Sequence, residues 1–186
     1  IKLADEMTAH FPDPQGGFFD IRDDHEALLL RPKDTQDNAT PSGGSLAANA
    51  LLQLSAYGDR LDGRKLAEDM LASVLEQAVR YPTAFAKWLL AADFALGSTH
   101  EVAVIGSTEQ PGMSSLLASL SSRYRPRQVT AISVFPPAVG SPALLTDRPL
   151  LNGLPTAYVC QGFVCRQPVT DPHELSNQLE DNRALD

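Results

Sequence analysis

The chain has 186 residues, a formal net charge of −8, 43% hydrophobic and 20% charged residues, an ordinary globular composition that excludes wholesale disorder and a collagen-like or coiled-coil rod. The negative charge argues against nucleic acid or an anionic membrane as the main partner, and no apolar run approaches the ~18 to 20 residues of a membrane span. Two cysteines are too few for a secreted disulfide scaffold, so a reducing, cytoplasmic compartment is expected.

Leu3, Met7 and Phe11 recur at helical spacing along one face, and the chain opens at Ile1 without a capping residue. A helix that starts uncapped reads as one that has been cut, so the chain is expected to be the tail of a longer protein. Pro12, Pro14 and the Gly16-Gly17 pair should end this helix. Phe18 to Ile21 then reads as a short extended piece, with Ala27 to Leu30 expected to pair back as a hairpin strand. From Pro32 to Ser45 there is no apolar periodicity; the loop is long and polar, and therefore a candidate for function.

Three amphipathic helices are predicted next. The first is capped by Ser45 and presents Ala47, Ala50, Leu51 and Leu54. The second is capped by Asp62 and presents Leu71, Val74, Leu75 and Ala78. The third has Pro82 in its first turn, carries Phe85, Trp88, Leu89, Ala92 and Leu96, and stops at Gly97. Short connections imply antiparallel hairpins.

At His100 the pattern changes. Val102 to Ile105 is a short apolar run that suits a strand covered on both faces. Met113, Leu116, Leu117, Leu120 and Tyr124 fall on one helical face, and Val129 to Phe135 is a second β-branched run. Strand, helix and strand at this spacing predict a βαβ unit with parallel strands. A third strand is expected at Ala157 to Cys160, and Asp171 should open a last short helix. The fold class is thus mixed α and β: residues 1–97 form helical hairpins and residues 98–186 a small three-stranded α/β layer. Residues 1–97 carry 15 acids and 9 bases, residues 98–186 carry 8 and 6, so the helical part is the acidic one.

Asp20, Asp34 and Asp37 lie on segments that run into helix starts. Paired carboxylates of this kind perform general acid/base work if one is raised in pKa, and glycosidase chemistry needs two; the competing reading is that they cap helices and turns. Arg31 and Lys33 are the cations beside them. Cys160 and Cys165 have four residues between them, where a thioredoxin-type motif has two. The expected order is reduced and buried thiols first, a cross-hairpin disulfide or thiol switch second, and a metal site last, since zinc would need further ligands and only His173 lies near. No H-E-x-x-H, G-x-G-x-x-G, G-K-[ST] or G-x-S-x-G pattern is present. The turn Gly106-Ser107-Thr108 is read as an ordinary strand-to-helix turn, and Arg123, Arg125 and Arg127 as cations at a helix C-terminus. Neither a metal nor a cofactor is implied.

Three stretches taken together carry a family resemblance: GGFFDI with LLLRPKDTQDNATPSGGSLAANALL, then EVAVIG, then TAYVCQGFVCRQPVTDPHEL. They resemble the C-terminal part of the spermatogenesis-associated, thioredoxin-domain-containing proteins and their bacterial YyaL-like relatives. The resemblance implies a longer parent with a thioredoxin-like domain followed by an (α/α)6 toroid of the six-hairpin glycosidase type. This chain would supply the last hairpins of an incomplete toroid and the terminal α/β layer. The family pattern PSGNS reads PSGGS here, with Gly44 in the place of Asn.

The function expected from these readings is one wall of a carbohydrate-type binding or catalytic cavity. Asp20, Asp34 and Asp37 would be the acid/base candidates, with Arg31 and Lys33 on substrate oxygens. The fragment alone would be inactive, with the parent chain as partner and self-association through unpaired helix faces. The alternative is a non-catalytic scaffold or interaction module for a thioredoxin-like domain; a third, weaker reading is thiol redox through Cys160 and Cys165.

Overall fold

The computed structural model describes residues 1–26, 29–58 and 61–180. Two compact units are present, residues 1–55 with 59–96, and residues 56–58 with 97–186.

The first unit is helical. Helix α1 spans Lys2–His10, α2 Gly43–Ala56, α3 Leu61–Arg80 and α4 Ala86–Leu96, with a 3-10 turn at Pro82–Ala84 before α4. Pro82, expected in the first turn of the helix itself, opens this separate 3-10 turn instead, where its missing N–H is unpaired anyway, and α4 begins only after Phe85. The Arg64 guanidinium near the start of α3 donates to the Ala95 carbonyl near the end of α4, so these two helices run antiparallel. The core is formed by Leu51 and Leu52 of α2, Ala67, Met70, Leu71, Val74 and Ala78 of α3, and Phe85, Trp88, Ala91 and Phe94.

Three local expectations are corrected. Helix α2 starts earlier than predicted, because the Ser42 hydroxyl accepts the Ser45 N–H at 3.2 Å; Ser42 is the cap and Ser45 lies inside the first turn. Its buried face is accordingly Ala47, Ala48, Leu51, Leu52 and Ser55, leaving Ala50 exposed. The extended piece at Phe18 makes an isolated bridge to Pro12, and Leu29 and Leu30 are exposed outside any strand, so among the described residues no hairpin ladder is present there. Ala27 and Leu28, the other half of that predicted strand, lie outside the described residues.

In the second unit, β1 (His100–Ile105), β2 (Gln128–Ser133), β3 (Thr156–Gln161) and β4 (Val164–Cys165) form a sheet in the order β2-β1-β3-β4. Strand β1 pairs parallel with β2, α5 (Met113–Ser121) lying between them in sequence, and antiparallel with β3. The sheet therefore has four strands rather than three, since the chain returning from β3 adds a two-residue rung. Val102 and Val104 pair with Val159 and Ala157, and this face packs against Met113, Leu116 and Leu120 of α5 and Leu175 and Leu179 of α6 (Pro172–Glu180). All six residues of β1 are buried, as the continuous apolar run requires for a strand covered on both sides. Tyr124, predicted on the α5 face, lies beyond the helix and is exposed. Asp171 caps α6, its carboxylate accepting the His173 and Glu174 N–H groups at 2.8 and 3.0 Å.

Candidate functional site

The polar loop is held by its own side chains. Asp37 is buried, and one carboxylate oxygen accepts the Ser42 N–H at 2.9 Å and the Ser45 hydroxyl at 2.7 Å. The other oxygen accepts the Lys87 N–H at 2.8 Å, in the first turn of α4. One carboxylate thus serves the N-terminal ends of two helices, where unpaired N–H groups and the helix dipole both favour negative charge. Burial opposes that charge, but the donated hydrogen bonds outweigh it and hold the carboxyl below the usual range. This is the opposite of the raised pKa a general acid needs. The Trp88 indole N–H donates to the Thr35 carbonyl at 2.8 Å, fixing the same loop from the α4 side.

The remaining expected residues are distributed around it. Asp20 is exposed and accepts the Asp34 N–H at 2.7 Å; Asp34 closes a local turn by accepting the Gln36 N–H at 3.0 Å. Lys33 pairs with Asp13 at 2.8 Å and also donates to the Gly16 carbonyl. The Lys33 hydrogen bond and that of the Gln15 N–H lower the Asp13 pKa. Arg31 donates to the carbonyls of Ile21 and His10 at 2.6 and 3.2 Å, with its guanidinium 4.2 Å over the Phe19 ring. Neither cation presents its head to Asp34 or Asp37 in these contacts; both staple the Phe11–Arg22 segment. Lys33 and Asp34 line a small cleft with Gly17, Met70 and Trp88, whereas Asp20 lines a different hollow. Gly44 faces the Trp88 indole so closely that a Cβ would lie 3.0 Å from Cζ2.

That second hollow, of about 780 Å3, has an apolar floor built by Met7, Phe11, Phe18, Phe19 and Leu46, with Glu6, Asp20 and Arg22 on its lining. Arg22 holds Glu6 at 3.1 Å and Asp24 at 2.9 Å, which raises its own pKa and lowers that of Asp24. His10 lies beside this group, its ring nitrogens 3.0 Å from Asp23 and 3.7 Å from Glu6. His10, Asp23 and Asp24 are the group among the described residues whose ligand atoms come within 4.8 Å of one another. Arg22 already neutralises Asp24, and the group carries no metal assignment. Sequence reasoning placed Asp20 but missed Glu6, Arg22 and the phenylalanine floor. The signal was present in the Leu3-Met7-Phe11 stripe and the adjacent Phe18-Phe19 pair, which were read only as a helix face and an extended piece.

In the second unit, Cys160 and Cys165 are joined by a disulfide, which corrects the expectation of reduced, buried thiols. The reason is the turn. Gly162 and Phe163 both have positive φ, as a two-residue hairpin turn requires, and this register sets the cysteines directly opposite each other. The Phe163 N–H donates to the buried Glu101 carboxylate at 2.8 Å, anchoring the turn to β1. The Ser107 N–H after β1 donates to the Gln110 side chain at 2.7 Å, so this turn satisfies itself and is no phosphate cradle.

Fold and site together define a mixed α/β chain, a helical unit with a loop-braced hollow and a four-stranded unit with a cross-strand disulfide. Comparison with known proteins gives relatives for it. The chain is 29% identical to human spermatogenesis-associated protein 20 over 96% of its own length and 23% of that protein, and 28% identical to the mouse protein over the same shares. It is 26% identical to an uncharacterized Caenorhabditis elegans protein over 86% of this chain and 22% of that one. The chain thus spans less than a quarter of the length of the curated relatives it matches. No family model and no solved structure matches it. The relatives support the resemblance to spermatogenesis-associated proteins drawn from the motifs.

Proposed function

We propose that the helical unit forms one wall of a small-molecule cavity of carbohydrate type. The observation that carries this reading is the hollow on α1 and α2: aromatic rings on the floor and Glu6, Asp20 and Arg22 at its edge. Flat rings stack on the C–H faces of a sugar, while carboxylates and a guanidinium match its hydroxyls, the usual division of labour in a concave site with few polar groups. Asp20 is the acid/base candidate at this hollow; Asp34, which lines the neighbouring cleft, donates its N–H to Asp20, and Asp37 holds the loop. The helical hairpins would belong to a toroid completed by residues of a longer protein, as the resemblance implies, with a thioredoxin-like domain as partner and a cytoplasmic location.

The test is ligand-observed NMR of the chain against a panel of neutral and acidic mono- and oligosaccharides. Binding that is lost in Asp20→Asn and Phe19→Ala with the fold intact supports the reading. Binding unchanged in both variants, or none across the panel for either the chain or a longer protein containing it, removes it in favour of a scaffold.

A further inference from the structure

The two sulfurs of the disulfide are not equivalent. Cys160 lies in the middle of the sheet and is fully buried, whereas Cys165 sits on the edge rung β4 and is half-buried beside the exposed turn Gly162-Phe163. The Arg148 guanidinium stands against the buried sulfur, its Nη2 3.4 Å from Cys160 Sγ. Arg148 is itself aimed there by its Nε–H, which donates to the Leu144 carbonyl at 3.3 Å, and by the Tyr158 ring 5.0 Å from its centre of charge. One cysteine is half-exposed at the sheet edge, and the sulfur of the other, fully buried one is backed by a positive charge.

We propose that this pair is a thiol–disulfide exchange site that takes a small external thiol or an exposed dithiol, with Cys165 as the attacked sulfur and Cys160 as the leaving group. The incoming thiolate bonds to Cys165 Sγ. The electron pair of the S–S bond passes to Cys160 Sγ, which departs as a thiolate stabilised by Arg148 and is later protonated from solvent. A second thiol then attacks the outer sulfur of the mixed disulfide, releases Cys165 as a thiolate and carries away the new disulfide. Two thiols are oxidised and one protein disulfide is reduced, by two electrons in all. A cation at the leaving sulfur lowers its thiol pKa, and a better leaving group departs faster. Opening the bond leaves the tip from Gln161 to Val164 held by the two-residue rung and by the Phe163 N–H bond to Glu101, so this tip is the segment that reduction loosens.

The experiment treats the oxidised chain with glutathione, quenches with acid and maps the mixed disulfide by mass spectrometry. Glutathione on Cys165 is the expected result; glutathione on Cys160, or on both equally, overturns the proposal. The rate of opening at neutral pH is then compared between variants. Arg148→Gln should slow it at least about threefold and Arg148→Lys should restore most of it. Equal rates in all three would show that the guanidinium only packs. If Arg148→Gln does not fold, the mapping on the unaltered chain decides alone. Free thiols in the chain after mild air oxidation and rapid alkylation would overturn the disulfide itself.

Discussion

Asp37 shows how one side chain can be decisive without being reactive. Its carboxylate is buried and receives donors from the starts of two helices, so losing it removes the acceptor of the Ser42 and Lys87 N–H groups and of the Ser45 hydroxyl at once. Asp37→Ala should destabilise the chain by about 2 to 3 kcal/mol, read as a lower urea midpoint. Because its pKa is lowered on folding, the contribution is present above the unfolded carboxylate value. It is lost as pH falls through the lower folded value, so the acid side of the stability–pH profile should flatten in Asp37→Asn. Asp34 behaves differently. It is exposed and accepts only the Gln36 N–H, a bond the amide oxygen of Asn retains, so Asp34→Asn should leave the melting temperature within about 1 °C. Sugar binding at the hollow should also be retained in that variant, because only the backbone N–H of residue 34 reaches Asp20.

At the scale of elements, β1 organises the second unit, pairing with a parallel neighbour on one side and an antiparallel one on the other. Its covering helix α5 separates core from margin within two adjacent residues. Leu116 is fully buried among Val102, Val104 and Leu175, while Leu117 packs at the edge of the same cluster. Leu116→Ala should cost about 3 to 4 kcal/mol, because the sheet and α6 limit collapse into the cavity, and Leu117→Ala about 1 kcal/mol. Chemical denaturation of the two variants checks the contrast; equal losses would mean that α5 is rotated on the sheet. The α3–α4 hairpin of the first unit depends instead on one large residue. Trp88 is buried against Gly44 and bonded to the loop through its indole N–H, joining loop order to helix packing.

At the scale of the whole molecule, no described helix is long and apolar enough to cross a membrane. Self-association is expected through the faces Leu71/Val74/Leu75 and Phe85/Trp88/Leu89. Leu71, Val74, Phe85 and Trp88 are buried within the helical unit and Leu89 is half-buried, whereas Leu75 is exposed, as are Val79, Leu90 and Leu96. Leu75 and Val79 lie one turn apart on α3 and offer a smaller apolar patch than a whole uncovered hairpin face, and a net charge of −8 opposes contact between copies. We expect light scattering to show a mass that rises only at high protein concentration and high salt, and Val79→Glu to abolish the rise. A stable dimer at low concentration and low salt would instead point to a larger apolar interface.

Periodicity by itself determined the helices after residue 42, the strands β1, β2 and β3 and the parallel pairing of β1 with β2, because runs spaced by 3.6 or filled with β-branched residues have few ways to hide their apolar side. The short rung β4 was not among them. The local code also located Asp171 at the start of α6. What it could not decide was every question of partner choice. Ser42 and Ser45 both suit a cap, and only the position of Asp37 beneath α2 and α4 selects Ser42. Asp20, Asp34 and Asp37 look alike in a polar loop; one is buried under two helix ends and two are exposed, which only the folded loop assigns. Cys160 and Cys165 stand opposite each other because the turn between them takes two residues at positive φ, one of them Phe163, a residue that local preference does not put there. The hollow on α1 and α2 joins residues from three separate stretches of the chain, and such convergence exists only once those stretches are packed.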